Sequence, residues 1–277
     1  MSPLSRFPVP RFLPYTLTMP ILHPALRGIR AVVFDLDGVL YEEQRPIAGA
    51  ADTVTAMRAA GIRVRFLTNT TSIKRDAIAA NLTRLGFDAA AAQVFSPGYA
   101  AARYLRAQGW SAHLLVRAAA LEDFAGVSHD DVKPQAVVVG DLADEWTYER
   151  LNHAFRLVHQ GGARLVGLGR SSYWRAARGL LLDVGPYLAA LESATGQQAL
   201  VFGKPERAIF DAVVADLGLP AAEVAMIGDD LACDVLAAMR VGMRGVLVRT
   251  GKFEEGDLAG SPAPDLVVDS VADLIGQ

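Results

Sequence analysis

Apolar and polar residues alternate along this chain in blocks of two lengths. Short apolar runs, such as RAVVFDLDG and IRVRFLTNT, alternate with longer amphipathic segments, such as AGAADTVTAMRAAG and SIKRDAIAANLTRLGF. A short apolar run indicates a buried strand, and apolar residues three or four positions apart indicate a helix. Ser72 is predicted as the N-cap of the second helix, and Gly61 and Gly86 as the residues that end the two helices. This βαβα order predicts an α/β fold with a parallel sheet covered by helices.

The rest of the chain continues the alternation in two parts. In the middle, the helical patterns SPGYAAARYLRAQGW and TYERLNHAFRLVHQGG, the second with Thr147 near its start, accompany the strand-like runs SAHLLV, QAVVVGD and ARLVGLG. We expect a separate small α/β unit from Ser96 to Thr195. The end of the chain predicts the strands QALVFGKP, EVAMIGDD, RGVLVRTG and DLVVD and the helices PERAIFDAVVADLG and LACDVLAAMRVG. Pro205 suits the first position of its helix, where a missing N–H costs nothing.

The composition is that of a globular protein without an affinity for polyanions. Of 277 residues, 52% are hydrophobic and 21% are charged, and the formal net charge is -3. Because no basic stripe is present to neutralise phosphates, we expect no nucleic-acid or membrane partner. The single cysteine, Cys233, excludes an internal disulfide bond and fits a reducing compartment, so a cytoplasmic location is expected.

The first residues differ from the rest of the chain. Residues 1–28, MSPLSRFPVPRFLPYTLTMPILHPALRG, are rich in proline and lack the clean apolar segment of a secretory signal. Two interpretations stay open, namely a flexible N-terminal extension and a translation start at Met19. Neither of them assigns a targeting role to this segment.

Polar side chains follow four of the predicted strands, at the point where each strand ends. Parallel strands point the same way, so their carboxyl ends meet at one edge of the sheet, where ligands bind in α/β folds. We therefore expect carboxylates, a hydroxyl and an ammonium group to converge at this edge. The residues concerned are Asp35 and Asp37, Thr68 and Asn69, Lys204, and Asp229 with Asp230.

Such a group of side chains suits phosphoryl transfer. Asp35 and Asp229 would repel each other at close range, and a divalent cation would remove that conflict. Because all the available ligands are oxygens, Mg²⁺ is the predicted ion. A carboxylate in line with phosphorus attacks it to give an aspartyl-phosphate, and Asp37 protonates the leaving oxygen and then deprotonates the attacking water. Lys204 and Thr68 supply a positive charge and a hydroxyl donor to the phosphate.

Four ordered motifs carry a resemblance to a known family. DLDGVLY, FLTNTTS, FGKP and MIGDDLACDV resemble the four motifs of the haloacid dehalogenase (HAD) superfamily. Their spacing resembles class IIA, the NagD-like branch, in which a large α/β cap lies between the second and third motifs. GRSSYW, GLLLDVGPYLAALESATG and AMIGDDLACDVLAAMRVGMRGVLVRTGKF are similar to the subgroup of phospholysine phosphohistidine inorganic pyrophosphate phosphatase. The resemblance implies a HAD Rossmann-like core, with a doubly wound and mostly parallel sheet, at 29–95 and 196–277, and a cap domain at 96–195.

The resemblance also implies a role for each residue that matches a motif. Asp35 would be the nucleophile and a magnesium ligand. Asp37 would be the acid and base, and its backbone carbonyl would bind the metal. Thr68 and Asn69 would hold the phosphoryl group, and Lys204 would bridge the phosphate and the nucleophile.

Three further aspartates complete the implied metal site. Asp229 would be a metal ligand. Asp234 would contact the ligands without binding the metal itself, and Asp230 would also assist the ligands. The cap would close over the site, exclude water and select the substrate.

Two features of the predicted cap have more than one interpretation. GLGRSS at 167–172 lacks the third glycine of a dinucleotide-binding turn, so a loop facing the substrate is the more plausible functional role. Tyr173 and Trp174 are expected to be packing residues, with substrate contact as the alternative.

The leading hypothesis is a Mg²⁺-dependent phosphatase that hydrolyses a small phosphorylated compound through an aspartyl-phosphate. The subgroup implies pyrophosphate or the N–P bonds of phosphohistidine and phospholysine. Sugar and nucleotide monophosphates stay open because the fold does not select the substrate. The alternatives are a dehalogenase, which uses the same aspartate to attack carbon, and a non-catalytic sensor of phosphorylated ligands. A homodimer is a further expectation from the resemblance.

Overall fold

The secondary structure alternates between strands and helices over most of the chain. The computed structural model describes residues 22–176, 179–259 and 262–276. The strands, in chain order, are β1 (Ala31–Phe34), β2 (Tyr41–Glu42), β3 (Arg45–Pro46), β4 (Arg63–Leu67), β5 (Val94–Phe95), β6 (Ala112–Leu115), β7 (Ala136–Val139), β8 (Arg164–Gly167), β9 (Tyr173–Ala176), β10 (Gly179–Leu182), β11 (Leu200–Val201), β12 (Val224–Gly228), β13 (Arg244–Val248) and β14 (Leu266–Val268). The helices are α1 (Ala50–Ala59), α2 (Arg75–Arg84), α3 (Pro97–Gln108), α4 (Tyr148–His159), α5 (Val184–Thr195), α6 (Arg207–Leu217) and α7 (Ala237–Arg240).

Six parallel strands form the larger sheet, in the order β14–β13–β12–β1–β4–β5. β1 lies inside this sheet, with Ala31 opposite Val224 of β12 on one side and Arg63 of β4 on the other. All residues of β1 are buried, because helices cover both faces of a doubly wound sheet. On one face α1 and α2 pack around Phe34, and on the other α3 and α6 pack around Val33. The predicted α/β fold with a doubly wound, mostly parallel sheet is confirmed.

Four parallel strands form a second sheet, in the order β11–β8–β7–β6. Alternate residues of a strand point to opposite faces, and β7 shows this clearly. Val138 joins a buried cluster that also contains α3, α6 and Val33 of the larger sheet. Val137 and Val139 instead pack beneath α4 and α5. This separate sheet with its helices is consistent with the predicted cap, and the domain boundaries stay predictions.

An antiparallel hairpin, β9–β10, follows the second sheet's strand β8. The sequence pattern did not predict it. Tyr173 and Trp174 lie in β9 with relative exposures of 63% and 43%. The expectation that they are packing residues is therefore wrong.

Two predicted helix starts are wrong. α2 begins at Arg75, and Ser72 is not its N-cap; instead the backbone N–H of Arg75 donates to the carboxylate of Asp123 at 3.1 Å. A distant segment therefore satisfies this helix end, which sequence spacing cannot reveal. α6 begins at Arg207, so Pro205 does not occupy its first position.

Other helix ends follow the sequence more closely. Thr147 is confirmed at the start of α4, since its Oγ1 accepts a hydrogen bond from the N–H of Arg150 at 3.2 Å. Gly61 and Gly86 follow the ends of α1 and α2 with φ angles of 78° and 95°, which glycine adopts without strain. The predicted helix LACDVLAAMRVG is α-helical only in α7, because a π-helical turn at Leu231–Leu236 precedes it.

The described N-terminal residues lie against the end of the chain. His23 donates its backbone N–H to the carbonyl of Leu274 at 2.9 Å, and the side chain of Leu26 is buried. The remainder of the predicted extension at 1–28, with Met19, lies outside the described residues. In the ranges that the structure describes, every helix is too short or too polar to cross a lipid bilayer.

Candidate active site

Two of the predicted aspartates leave neighbouring strands side by side. Asp35 follows β1 and Asp229 follows β12, and the two strands pair with Phe34 opposite Ile227. The backbone N–H of Asp35 donates to the carbonyl of Ile227 at 2.9 Å, which extends the sheet pairing to the first site residue. Both carboxylates are buried, with relative exposures of 7% and 1%. The parallel sheet thus brings these two acids together as predicted.

Three buried carboxylates form a compact oxygen cluster. Asp35, Asp229 and Asp234 each offer an oxygen, and these oxygens lie within 4.8 Å of one another. Burial, together with the negative charge of Asp35, raises the pKa of Asp229 to about 6, although the backbone N–H of Lys252 opposes this. Oδ1 of Asp229 has no hydrogen-bond partner among the described residues. An all-oxygen cluster with an unpaired buried oxygen fits a hard divalent cation such as Mg²⁺.

Two glycines allow other loops to approach Asp229 closely. A Cβ atom on Gly251 would lie 2.2 Å from Oδ2 of Asp229, and one on Gly38 would lie 2.1 Å from the same oxygen. Both glycines have positive φ angles, 69° and 79°, which favour glycine over other residues. The close approach lets the backbone N–H of Lys252 donate to Oδ2 of Asp229 at 2.8 Å.

Lys204 reaches this cluster from the other sheet. It follows β11, which is an edge strand of the four-stranded sheet, so the expectation that all four strand ends share one sheet edge is wrong. Its Nζ nevertheless lies 2.6 Å from Oδ1 of Asp35 and 2.6 Å from Oδ1 of Asp234. Burial opposes the charge of Lys204, but these two carboxylates outweigh it and raise its pKa above the ordinary value. Asp234 therefore compensates a buried ammonium group, which burial of a charge requires.

The side chain of Asn69 holds the backbone of Lys204. Its Nδ2 donates to the carbonyl of Lys204 at 3.0 Å, and its Oδ1 accepts from the N–H of Lys204 at 2.7 Å. Both the NH₂ group and the oxygen of the Asn69 carboxamide are thus hydrogen-bonded to the backbone of Lys204. Thr68 is buried, and its Oγ1 accepts from the N–H of Thr70 at 3.1 Å. The hydroxyl groups of Thr68 and Thr70 also lie 2.9 Å apart.

Of the two remaining predicted acids, Asp37 is exposed and Asp230 is half-buried. Asp37 lines the same cavity as Asp35, and partial burial followed by the negative charge of Asp35 raises its pKa. A carboxyl group of this kind retains a proton more readily than an ordinary aspartate. Asp230 instead caps the following π-helical turn, because its Oδ1 accepts from the N–H of Ala232 at 3.1 Å and of Cys233 at 2.8 Å.

The comparisons with known proteins agree with this geometry. A family model described as haloacid dehalogenase-like hydrolase matches residues 32–127, and a second HAD-like hydrolase model matches residues 201–274. Phospholysine phosphohistidine inorganic pyrophosphate phosphatase from Homo sapiens is 36% identical over 257 residues, which cover 91% of this chain and 93% of that protein. The chain belongs to the haloacid dehalogenase-like hydrolases.

Further proteins match this chain in sequence or in architecture over most of its length. Haloacid dehalogenase-like hydrolase domain-containing protein 2 from Bos taurus is 38% identical and covers 88% of this chain and 93% of that protein. The crystal structure of 4-nitrophenylphosphatase from Thermotoga maritima matches with a TM-score of 0.82 at 27% identity, covering 91% of this chain and 98% of that one. NagD from E. coli K-12 matches with a TM-score of 0.81 at 26% identity, covering 88% and 98%. The predicted resemblance to NagD-like HAD proteins is confirmed.

The carboxylate cluster of this hydrolase opens into a cavity of about 650 Å³. The cavity lies between the loops of the six-stranded sheet and those of the four-stranded sheet. Sequence reasoning missed several of the residues that line it. Lys252 is the one that strand order could have revealed, because it follows β13 at the same sheet edge. Burial opposes the charge of Lys252, and Asp229 and Asp35 raise its pKa. Arg117, Asp141 and Asp183 were also missed, and they come from loops around the second sheet and the hairpin.

Proposed function

We propose that this protein is a Mg²⁺-dependent phosphatase of small phosphorylated compounds that acts through an aspartyl-phosphate. The observation that carries the proposal is the buried group of Asp35, Asp229 and Asp234 with the ammonium of Lys204 at 2.6 Å from Asp35. The relatives named as phosphatases support the reaction class.

The residues present fit the ion. Asp35, Asp229 and the main-chain carbonyl of Asp37 would hold it, and Asp234 would support the group through Lys204. A bound Mg²⁺ would neutralise charge on the phosphoryl oxygens and on the clustered carboxylates. Asp229 offers the unpaired buried oxygen that such an ion requires.

In the proposed reaction the carboxylate of Asp35 attacks phosphorus. An O–P bond forms to Asp35 while the bond from phosphorus to the leaving oxygen breaks, and Asp37 gives its proton to that oxygen. Asp37 then takes a proton from water as the water attacks the phosphorus, which releases phosphate and restores Asp35. Partial burial and the negative charge of Asp35 raise the pKa of Asp37. Asp37 therefore keeps a proton more readily than an ordinary aspartate, as the first of these proton transfers requires.

Lys204 and Asn69 have supporting roles in the proposal. Lys204 neutralises Asp35 before the substrate binds and faces the incoming phosphoryl group. Asn69 fixes the lysine through its two hydrogen bonds to the lysine backbone, so we assign its carboxamide to positioning. Thr68 supplies a hydroxyl that Thr70 orients.

The first test measures phosphate release from p-nitrophenyl phosphate, pyrophosphate and a phosphoramidate with added Mg²⁺. Asp35→Asn is expected to abolish turnover, and Asp37→Asn is expected to lower it about 10²–10⁴-fold. Asp144→Asn removes the same charge from an exposed residue outside the cavity and serves as the matched control. Substantial activity in Asp35→Asn would refute the mechanism, and full phosphate release in EDTA would refute the Mg²⁺ dependence.

A further inference from the structure

The wall of the cavity that faces the cluster has its own charge pattern. It comes from the loops of the four-stranded sheet and from the hairpin β9–β10, and it carries charged, hydroxyl and indole groups. These residues are Arg117, Asp141, Arg170, Ser171, Trp174 and Asp183. A substrate whose phosphoryl group lies at Asp35 would direct its leaving group towards this wall.

The two arginines of the wall are already paired with carboxylates. Nη2 of Arg117 lies 3.1 Å from Oδ2 of Asp141. Arg170 donates two hydrogen bonds to Glu192, at 2.9 and 2.8 Å. This bidentate geometry is the strong form of an arginine–carboxylate pair. The charge of each arginine is therefore balanced by a carboxylate, and the donor left over is Nε of Arg117, which has no hydrogen-bond partner among the described residues.

Asp183 is the carboxylate of the wall that has no cationic partner among the described side chains. Its Oδ1 accepts from the N–H of Val184 at 2.8 Å and so caps α5. Burial raises the pKa of Asp183 against the effect of that N–H, and the nearby charge of Asp141 raises it further. A cation next to Asp183 would lower this pKa again, because an opposite charge favours the ionised carboxylate.

Trp174 adds an aromatic face to the same wall. Its relative exposure is 43%, so much of its side chain stays accessible while it lines the cavity. An ammonium group binds favourably over an indole ring. A carboxylate and an indole on one wall are a combination suited to organic cations.

We infer that this enzyme selects phosphorylated compounds whose leaving group carries a positively charged nitrogen, with Asp183 and Trp174 as the specificity-determining residues. This inference rests on the proposed phosphatase function and names its substrate class. The products are inorganic phosphate and an alcohol that keeps its ammonium group.

The experiment compares three phosphate monoesters of similar size. Phosphoethanolamine carries an ammonium group, ethyl phosphate is neutral at that end, and 2-phosphoglycolate carries a carboxylate. We expect kcat/KM to be about tenfold higher for phosphoethanolamine than for ethyl phosphate, from one charged hydrogen bond and a cation–π contact, and lowest for 2-phosphoglycolate. The difference should appear mainly in KM, because the contact is remote from the reacting atoms.

Asp183→Asn tests the residue without removing the helix cap, since asparagine is also a good N-cap. We expect the ratio of phosphoethanolamine to ethyl phosphate to fall towards one in this variant, and Asp183→Ser to reproduce the result. Asp144→Asn, an equal charge change on the exposed surface, should keep the parental ratio. Thermal unfolding of each variant verifies that it is folded.

The outcomes separate the inference from the proposed function. If ethyl phosphate is hydrolysed as well as phosphoethanolamine, or if Asp183→Asn lowers both equally, the inference is refuted while the phosphatase function stands. If none of the three esters nor p-nitrophenyl phosphate releases phosphate with Mg²⁺, the proposed function itself fails.

Discussion

The ammonium group of Lys204 lies between the buried carboxylates of Asp35 and Asp234. Replacement of this lysine by methionine would leave the two carboxylates to repel each other. The lysine side chain has a relative exposure of 5%, and those of Asp35 and Asp234 are 10% and 1% exposed. Removing one partner of a buried ion pair costs about 3–5 kcal/mol. We therefore expect Lys204→Met to lower the free energy of unfolding by about this amount near neutral pH without Mg²⁺, and to abolish phosphatase activity.

The penalty should depend on pH with a defined sign. Without the lysine, the pair Asp35 and Asp234 must retain a proton when folded, so its folded pKa lies above the unfolded value. Stability is then present at low pH and is lost as the pH rises towards the raised pKa. The loss amounts to about 1.4 kcal/mol per pH unit within that window.

Urea unfolding in EDTA at about pH 5 and about pH 8 measures this penalty as the difference between variant and parent. Lys204→Met combined with Asp234→Asn should recover about 2 kcal/mol at the higher pH, because one of the two unpaired charges is gone. Asp234→Asn alone completes the double-mutant cycle. A penalty that is the same at both pH values, or a double variant as unstable as Lys204→Met, would refute the reasoning.

Two further predictions concern Asn69 and Asp229. Asn69→Ala removes two hydrogen bonds to the Lys204 backbone. The free energy of unfolding should therefore fall by about 1–3 kcal/mol, and kcat should fall with it. Losses of stability and kcat no larger than those of the control variant Asn152→Ala on α4 would contradict this prediction. The pKa of Asp229 is raised to about 6 by burial and Asp35, so metal-free stability should decrease as the pH rises from about 4 to about 6. Mg²⁺ should then raise the Tm more at pH 8 than at pH 5, and equal shifts would count against the site.

The sequence predicted the fold class and much of the site because both depend on local pattern. Apolar runs and amphipathic segments alternate regularly, so the parallel sheet with covering helices follows from them. Asp35 and Asp229 directly follow neighbouring strands, and the geometry of a parallel sheet places such residues at one edge. The motifs around them also carried the correct family.

Other features depended on contacts between distant segments. The N-terminus of α2 is satisfied by Asp123 rather than Ser72, and no spacing within a helix reveals a partner 48 residues away. Strand β11 has only two paired residues, so its own sequence gave no indication that it belongs to the second sheet.

The tertiary structure alone decided how Lys204 reaches Asp35 and which groups surround the substrate cavity. The lysine comes from the second sheet and Asn69 from the first, and their hydrogen bonds join the two. Asp183 and Trp174 line the cavity although neither belongs to a motif of the catalytic core. Residue patterns determine elements because backbone periodicity is local, whereas a site between two sheets depends on how those sheets pack.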